Sequence, residues 1–183
     1  MFGISGGLTM ILYVTRHGET DANALRQIQG RRDIPLNATG IAQAEELKTR
    51  LKTVRLDRIY TSPLSRARKT AEIVNSDRRV PLIVDDRLIE MSYGDLEGTP
   101  TSSFEAYEDK DFFRYPHGES FLDVAARVYP FIDELRRRHP DETILIVGHI
   151  GVDRIIASYF ESFSNDGFRR WTIPNCSVLR YEI

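Results

Sequence analysis

Short apolar runs alternate with longer amphipathic segments along this sequence, and this alternation limits its fold more than any other feature. Five runs rich in β-branched and apolar residues predict strands, at 10–15, 57–62, 80–85, 143–148 and 177–182. Four segments between them carry apolar residues at steps of three or four and predict helices, at 39–54, 63–75, 119–138 and 151–160. This order predicts an α/β fold with three layers, α/β/α, in which helices cover both faces of a mostly parallel sheet.

Two details of these segments make the prediction more specific. The runs at 10–15, 80–85 and 143–148 are nearly continuous in apolar residues, as expected of strands covered on both faces. Pro63 suits the first turn of the second helix. Pro130 lies inside the third helix, which we expect it to kink or divide.

The length of 183 residues fits one domain, which we assign to residues 10–183. The glycine-rich stretch MFGISGGLT at 1–9 predicts a flexible N-terminal extension. Its Gly-x-Ser-x-Gly pattern is not the nucleophile elbow of a serine hydrolase, because no strand precedes it.

Residues 94–118 are polar, irregular and rich in aromatics. They predict an insertion that either shapes a site or forms a surface excursion.

The overall charge excludes several classes of partner. A net charge of −2 gives no general attraction to nucleic acid or to an anionic membrane, so any anion site must be a local cluster. No apolar run reaches the roughly 18 residues that a membrane span needs.

Cys176 is the single cysteine, which excludes an internal disulfide and favours a reducing, cytoplasmic location. The sequence leaves the oligomeric state open, including a homo-oligomer.

Reactive side chains follow four of the predicted strands at the point where each strand ends. Ligands of open α/β sheets bind outside the carboxyl ends of the strands. Arg16 and His17 follow the first strand, Arg66 the second, Glu90 the third and His149 the fourth. Three helices also begin at this edge, and their free N–H groups favour an anion.

These residue types suit the transfer of a phosphoryl group. Two guanidinium groups offer planar, charged donors to phosphoryl oxygens. A neutral imidazole can attack phosphorus, and a second imidazole can donate to an oxygen as charge develops. A carboxyl group that stays protonated can deliver a proton to the leaving alcohol.

Seven ordered motifs make the sequence similar to the histidine phosphatase superfamily, whose fold is that of phosphoglycerate mutases. The motifs extend over nearly all of the chain from residue 10 onward. They are TRHGETDAN (15–23), QGRRDIPLNATG (29–40), YTSPLSRARKTAEIV (60–74), DDRLIEMSYGDLEG (85–98), HGESFLDVAARV (117–128), IVGHIGVDR (146–154) and NCSV (175–178).

The resemblance implies a role for each matching residue. His17 would carry the phosphoryl group, and Glu90 would be general acid to the leaving group and then general base to water. Arg16, Arg66 and His149 would bind the phosphoryl oxygens. Asn23 would contact phosphate, and Gln29 and Gly30 would lie in a loop near the substrate. The family needs no metal or other cofactor. The expected partner is therefore a small-molecule phosphomonoester.

The resemblance also leaves alternatives open. Mutases of the family carry an Arg-His pair after the glutamate, where this sequence has Met91 and Ser92. They also carry a C-terminal tail, whereas this sequence stops at Ile183, just after its last predicted strand. These differences favour the small phosphatase branch, and HIGVDR and YGDLEG resemble segments of α-ribazole and broad-specificity phosphatases. A non-catalytic relative that binds a phospholigand is the third alternative, although such a role would not require the acid Glu90. Ile150 stands where the family often has glycine, and it either narrows the pocket or turns into the core.

Several polar residues near these motifs have simpler explanations. We expect Arg68 and Lys69 to lie on an exposed helix face. His117 and His139 are expected at the surface or in loops, and His117 could also reach the mouth of the pocket. Glu119 and Ser120 either start the third helix, which we favour, or approach the substrate.

Overall fold

The computed structural model describes residues 9–107, 110 and 113–183, and its centre is a five-stranded sheet. The strands are β1 (Ile11–Arg16), β2 (Arg58–Thr61), β3 (Leu82–Val84), β4 (Thr143–Gly148) and β5 (Val178–Glu182). Their order across the sheet is β3-β2-β4-β1-β5. Only β5 is antiparallel, paired with β1, so the prediction of a mostly parallel sheet is confirmed.

Four long helices connect the strands, and shorter helices lie in the loops. The long ones are α2 (Ala38–Arg50), α3 (Ser65–Asn75), α4 (Phe121–Arg138) and α5 (Ile150–Phe160). Two short helices, α1 (Asp21–Ala24) and α6 (Asn165–Arg170), were not predicted, because they contain too few residues to show a period. Three 3-10 helices follow β3, at Asp86–Leu88, Gly94–Leu96 and Thr101–Tyr107.

The sheet separates two apolar clusters, which places helices on both of its faces as predicted. Residues of α4 and α5, such as Phe131 and Ile156, pack with Leu12 and Ile144 on one face. Residues of α2 and α3 pack with Leu145 and the other face. The two central strands β1 and β4 therefore hold the loops at their carboxyl ends on a rigid support.

Some boundaries differ from the sequence prediction for identifiable reasons. β3 is an edge strand with Val84 44% exposed, so the expectation that run 80–85 is covered on both faces was wrong. The helix predicted over 39–54 ends at Arg50, because Arg78 donates to the carbonyls of Leu51 and Val54 and stabilises a turn there.

Two prolines also behave differently from the prediction. Pro63 precedes α3, because Leu64 is still extended and the helix begins at Ser65. Pro130 does not divide α4, which runs without interruption from Phe121 to Arg138. Val128, Phe131, Ile132 and Leu135 on both sides of the proline are buried in the core, which holds the two turns in one helix.

The predicted insertion packs against the body of the domain where it is described. Tyr115 is buried in the core cluster beside α4 and α5, and Phe104, Tyr107 and Phe113 pack against that cluster. Residues 1–8 of the predicted N-terminal extension, with the GISGG pattern, lie outside the described residues. No helix among the residues that the structure describes is long and apolar enough to cross a membrane.

Candidate active site

His17 follows β1 directly and is 3% exposed. Its Nδ1 lies 2.6 Å from the carbonyl oxygen of Gly18. Because a carbonyl can only accept a hydrogen bond, the ring proton belongs on Nδ1. Nε2 then keeps its lone pair, which accepts a hydrogen bond from Arg66 Nε at 3.2 Å. Burial, with the charges of Arg66 and Arg16, holds the pKa of His17 well below its usual range, so the ring is neutral near pH 7.

Arg66 is a buried cation that the fold holds in a fixed position. It lies in the first turn of α3 and is 1% exposed. Its Nη1 and Nη2 donate to the carbonyls of Arg32 and Gly30, both at 2.8 Å. The loop at 30–32 therefore aims the guanidinium at the His17 ring, where its positive charge could face an anion.

Arg16 is the last residue of β1 and supplies the second guanidinium. Its Nη1 donates to the carbonyl of Ile173 at 3.0 Å, whereas its buried Nε has no hydrogen-bond partner among the described residues. Arg68 and Lys69, also in α3, are exposed.

His149 lies at the end of β4, fully buried beside His17. The centres of the two rings are 5.1 Å apart. Its Nε2 is 2.7 Å from the hydroxyl of Ser62, and its Nδ1 has no partner within the described part of the chain. Burial and the charge of Arg66 hold the pKa of His149 well below its usual range. The structure therefore pairs two neutral imidazoles.

Glu90 supplies the carboxyl group of the site and is 4% exposed. Its two oxygens accept hydrogen bonds from the backbone N–H groups of Met91, at 2.7 Å, and Gly151, at 3.2 Å. Burial raises the pKa of Glu90 above its ordinary value, while the Met91 N–H and the charge of Arg66 act in the opposite direction. Such a carboxyl group keeps its proton to a higher pH than an exposed one does.

The three predicted substrate-binding residues also line this cavity, each in a different way. Asn23 Oδ1 accepts from the backbone N–H of Thr20 at 3.2 Å, so its oxygen is used to cap α1. Gln29 is 8% exposed, and its Oε1 accepts from the Thr20 hydroxyl at 2.9 Å. Gly30 has a φ of +53°, which favours glycine, and a Cβ there would collide with the Glu97 side chain as it is placed.

Gly18 allows the start of α2 to lie close to the His17 loop. A Cβ on Gly18 would lie 2.4 Å from the carbonyl oxygen of Gly40, in the first turn of α2. Both glycines are therefore needed for the close approach of that helix to the His17 loop.

The helix N-termini at this edge are less open than the sequence predicted. Asp33 accepts a hydrogen bond from the Ser65 N–H at the start of α3, at 2.8 Å. Glu90 accepts from Gly151 N–H at the start of α5. Side-chain carboxylates thus occupy N–H groups that we expected to face an anion.

The site opens into a cavity of about 690 Å³. Arg16, His17, Arg66 and Glu90 line one part of it, and the buried ring of His149, whose Nδ1 is unpaired within the described residues, lies beside that of His17. Ile150 also lines the cavity, so its side chain faces the site and not the core. Aromatic rings form a further wall: Tyr93, Phe104, Tyr107, Phe113, Tyr115 and Phe121.

Sequence reasoning missed several residues that shape the site. Ser62 contacts His149, and Asn175 Nδ2 donates to the carbonyl of His17 at 2.8 Å. Both lie inside motifs that carried the resemblance, and this was the signal that could have singled them out. The aromatic wall has no periodic signal, because most of it comes from the irregular segment after β3.

Other polar residues near the site have structural tasks. Ser120 caps α4 as favoured, and the Glu119 carboxylate accepts from Ser92 N–H at 2.9 Å and from Arg31 at 2.8 Å. His117 is exposed and pairs with Asp95 at 3.0 Å. Across residues 9–107, 110 and 113–183, no three His, Cys, Asp or Glu side chains gather as a metal site would need.

Comparison with known proteins identifies the family. The profile of the histidine phosphatase superfamily (branch 1) matches residues 12–183. The chain belongs to this superfamily. That family was the one predicted from the motifs.

Relatives within the superfamily include both phosphatases and mutases. The uncharacterized phosphatase PhoE of Bacillus subtilis is 39% identical over 137 residues, which are 74% of this chain and 69% of that protein. The probable phosphoglycerate mutase GpmB of Escherichia fergusonii is 33% identical over 181 residues, 93% of this chain and 84% of that protein. The solved structure of a putative α-ribazole-5′-P phosphatase from Escherichia coli K-12 has a TM-score of 0.82 and 32% identity, and the match covers 95% of this chain and 90% of that one.

Proposed function

We propose that this protein is a metal-independent phosphatase that hydrolyses a small-molecule phosphomonoester through a phosphohistidine on His17. The observation that carries the proposal is the hydrogen bond between His17 Nδ1 and the Gly18 carbonyl. It leaves Nε2 as the nucleophilic atom, beside Arg66 and in a cavity that also contains a buried carboxyl group. The phosphatases among the relatives support the same class of reaction.

In the first step, Nε2 of His17 attacks phosphorus and the bond between phosphorus and the ester oxygen breaks. Arg66 and Arg16 donate to the phosphoryl oxygens, and Arg66 exchanges its hydrogen bond with Nε2 for one with the phosphoryl group. His149 donates to a further oxygen from Nδ1, because the Ser62 hydroxyl can supply the hydrogen bond to Nε2. Asn23, Gln29 and the backbone of Gly30 contact the substrate from the loop beside α1.

Glu90 completes both steps by moving one proton. As a neutral acid it protonates the leaving alkoxide, and the resulting carboxylate then takes a proton from water. That water attacks the phosphorus of phosphohistidine, so inorganic phosphate leaves and His17 returns to its neutral form. Burial of Glu90 supports this assignment because it raises the pKa of the carboxyl group.

Replacement of the nucleophile is the direct test of activity. His17→Ala should lower kcat for p-nitrophenyl phosphate by roughly 10³-fold or more. Phosphate release is the measurement, and His117→Ala is the matched control, because His117 is exposed and does not line the cavity. Full turnover by His17→Ala would contradict the proposal.

Phosphoryl transfer of the mutase type is the second candidate, and the similarity to GpmB proteins favours it. Water must be excluded from the phosphoenzyme in a mutase and admitted in a phosphatase. The residues after Glu90 favour the phosphatase, because Met91 is fully buried and no Arg-His pair stands there. Incubation with 3-phosphoglycerate and a trace of its bisphosphate decides between them: 2-phosphoglycerate without phosphate release would establish the mutase.

A further inference from the structure

We infer that the leaving group of the substrate carries an apolar ring, and that the aromatic wall after β3 selects it. This inference rests on the proposed phosphatase function and specifies its substrate class. Cavities of roughly 300–1,000 Å³ hold whole small molecules, and this one measures about 690 Å³. A phosphoryl group fills only the part between His17, Arg66 and Glu90, so the remainder must accommodate the alcohol.

The wall beyond the phosphoryl part is built from rings that hold one another in place. The centres of the Tyr93 and Phe104 rings are 5.1 Å apart, and the Tyr115 ring lies 5.2 Å from Tyr93 and 5.8 Å from Phe104. Tyr93 and Tyr115 are buried, and Phe104 packs against the same core cluster. Rings fixed in this way present an apolar surface that loses little conformational entropy on binding.

Ile150 adds a second apolar surface next to His149. Its branched side chain lines the cavity at a position where the family often has glycine. Phe121, at the start of α4, lines the cavity too. The leaving group would therefore meet apolar side chains from three separate elements.

The cations at this end of the cavity are already engaged with protein groups. Arg154 Nη2 donates to the carbonyl of Trp171 at 2.9 Å, and its guanidinium lies over the rings of Phe121 and Phe168 at 5.2 and 5.6 Å. Arg169 and Arg170 both pair with Asp166, at 3.8 and 3.3 Å. No cation lies over the rings of Phe104, Phe113 and Tyr115 in the described structure, so this part of the wall favours an apolar ring over a leaving group with a second anionic group.

The test compares two alkyl phosphates whose leaving alcohols have nearly the same acidity. The substrates are 2-phenylethyl phosphate and ethyl phosphate, which differ by a phenyl ring placed away from the ester oxygen. We expect kcat/KM to be about tenfold higher or more for 2-phenylethyl phosphate, with the difference mainly in KM. Phe104→Ala should lower this preference by about fivefold, because it removes one ring of the wall.

Two further variants separate selectivity from folding. Phe104→Leu retains apolar bulk and should keep most of the preference. Leu122→Ala removes an exposed apolar side chain that neighbours Phe121 but does not line the cavity, and it should retain the whole preference.

The other outcomes would overturn the inference in distinguishable ways. Equal kcat/KM for the two alkyl phosphates, or a higher value for 3-phosphoglycerate, would reject the ring-bearing substrate and leave the phosphatase function intact. Failure to hydrolyse any of these esters, including p-nitrophenyl phosphate, would reject the proposed function and the inference with it.

Discussion

Glu90 is the residue whose protonation state most clearly links the geometry to a measurable rate. Its carboxyl group is buried, and its pKa is raised above the usual value. A general acid works only while it keeps its proton, so the acid step should weaken as pH rises through this pKa. Alkyl phosphates need the proton more than aryl phosphates do, because their leaving groups are more basic.

We predict that the ratio of alkyl to aryl phosphate turnover falls as pH rises in the wild-type enzyme. The second ionisation occurs at a lower pH in p-nitrophenyl phosphate than in ethyl phosphate, so each rate is expressed per concentration of the ester dianion before the ratio is taken. In Glu90→Gln the alkyl rate should drop by about 10²–10⁴-fold, and the ratio should no longer change with pH. Steady-state rates for ethyl and p-nitrophenyl phosphate at several pH values provide the data. A ratio independent of pH in the wild type would argue against the acid role.

At the scale of one element, α5 carries a polar residue that the proposed reaction does not use. Asp153 is fully buried, and neither of its carboxylate oxygens has a hydrogen-bond partner in the described part of the chain. Burial raises the pKa of Asp153 well above its ordinary value, and the charge of Glu90 adds to the effect. The folded state therefore retains a proton that the unfolded chain releases at lower pH.

We predict that this carboxyl group costs stability as pH rises. Between the ordinary pKa of an aspartate and the raised pKa of Asp153, the folded state binds more protons than the unfolded state, so the free energy of unfolding decreases with pH. Asp153→Asn cannot ionise, so its free energy of unfolding should decrease less between pH 5 and pH 7.5 than that of the wild type. Urea unfolding at pH 5 and 7.5 measures the effect.

The exposed Asp141 offers a matched control for this prediction. Asp141→Asn should change the free energy of unfolding little at either pH. If Asp153→Asn behaved in the same way, the buried carboxyl group would not be a source of instability.

The elements also explain which parts of the fold the sequence could predict. Strands β1 and β4 are nearly continuous apolar runs and helices α2 to α5 have clear periods, and all were predicted within a few residues. The position of β3 at the sheet edge could not be predicted, because strand order depends on contacts distant in sequence. The short helices α1 and α6 depend on caps from Thr20 and Ser164 rather than on a hydrophobic pattern.

The residues of the candidate site also include some that the sequence could predict and some that it could not. Arg16, His17, Arg66, Glu90 and His149 could be selected because parallel strands bring their carboxyl ends to one edge. The structure places four of these side chains around one cavity and His149 beside His17. Ser62 and Asn175 could have been selected only from their places in the motifs, and the aromatic wall could not be predicted, because it follows from the path of an irregular segment without a periodic signal.

At the scale of the whole molecule, the proposed binding of an anion by the buried guanidinium groups should be a source of stability. A ligand that binds only the folded state stabilises it by about 2.7 kcal/mol at 100 times its Kd. Each kcal/mol raises Tm by roughly 2–4 °C in a domain of this size. Inorganic phosphate at that concentration should therefore raise Tm by about 5–10 °C.

Two arginines of α3 provide a matched comparison for this effect. Arg66 is 1% exposed beside His17, whereas Arg68 is exposed on the same helix. Arg66→Met should abolish most of the phosphate-dependent shift in Tm, and Arg68→Met should retain it. An equal shift in both variants, measured by scanning calorimetry, would place the anion elsewhere.

The central claim is that His17 carries the phosphoryl group, and trapping the phosphoenzyme tests it most directly. The enzyme is mixed with p-nitrophenyl phosphate, quenched in alkali and digested, and the phosphorylated peptide is identified by mass spectrometry. The account predicts one phosphoryl group on the peptide that contains His17, with the same label in His117→Ala and none in His17→Ala. Label on another residue, or undiminished label in His17→Ala, would contradict it.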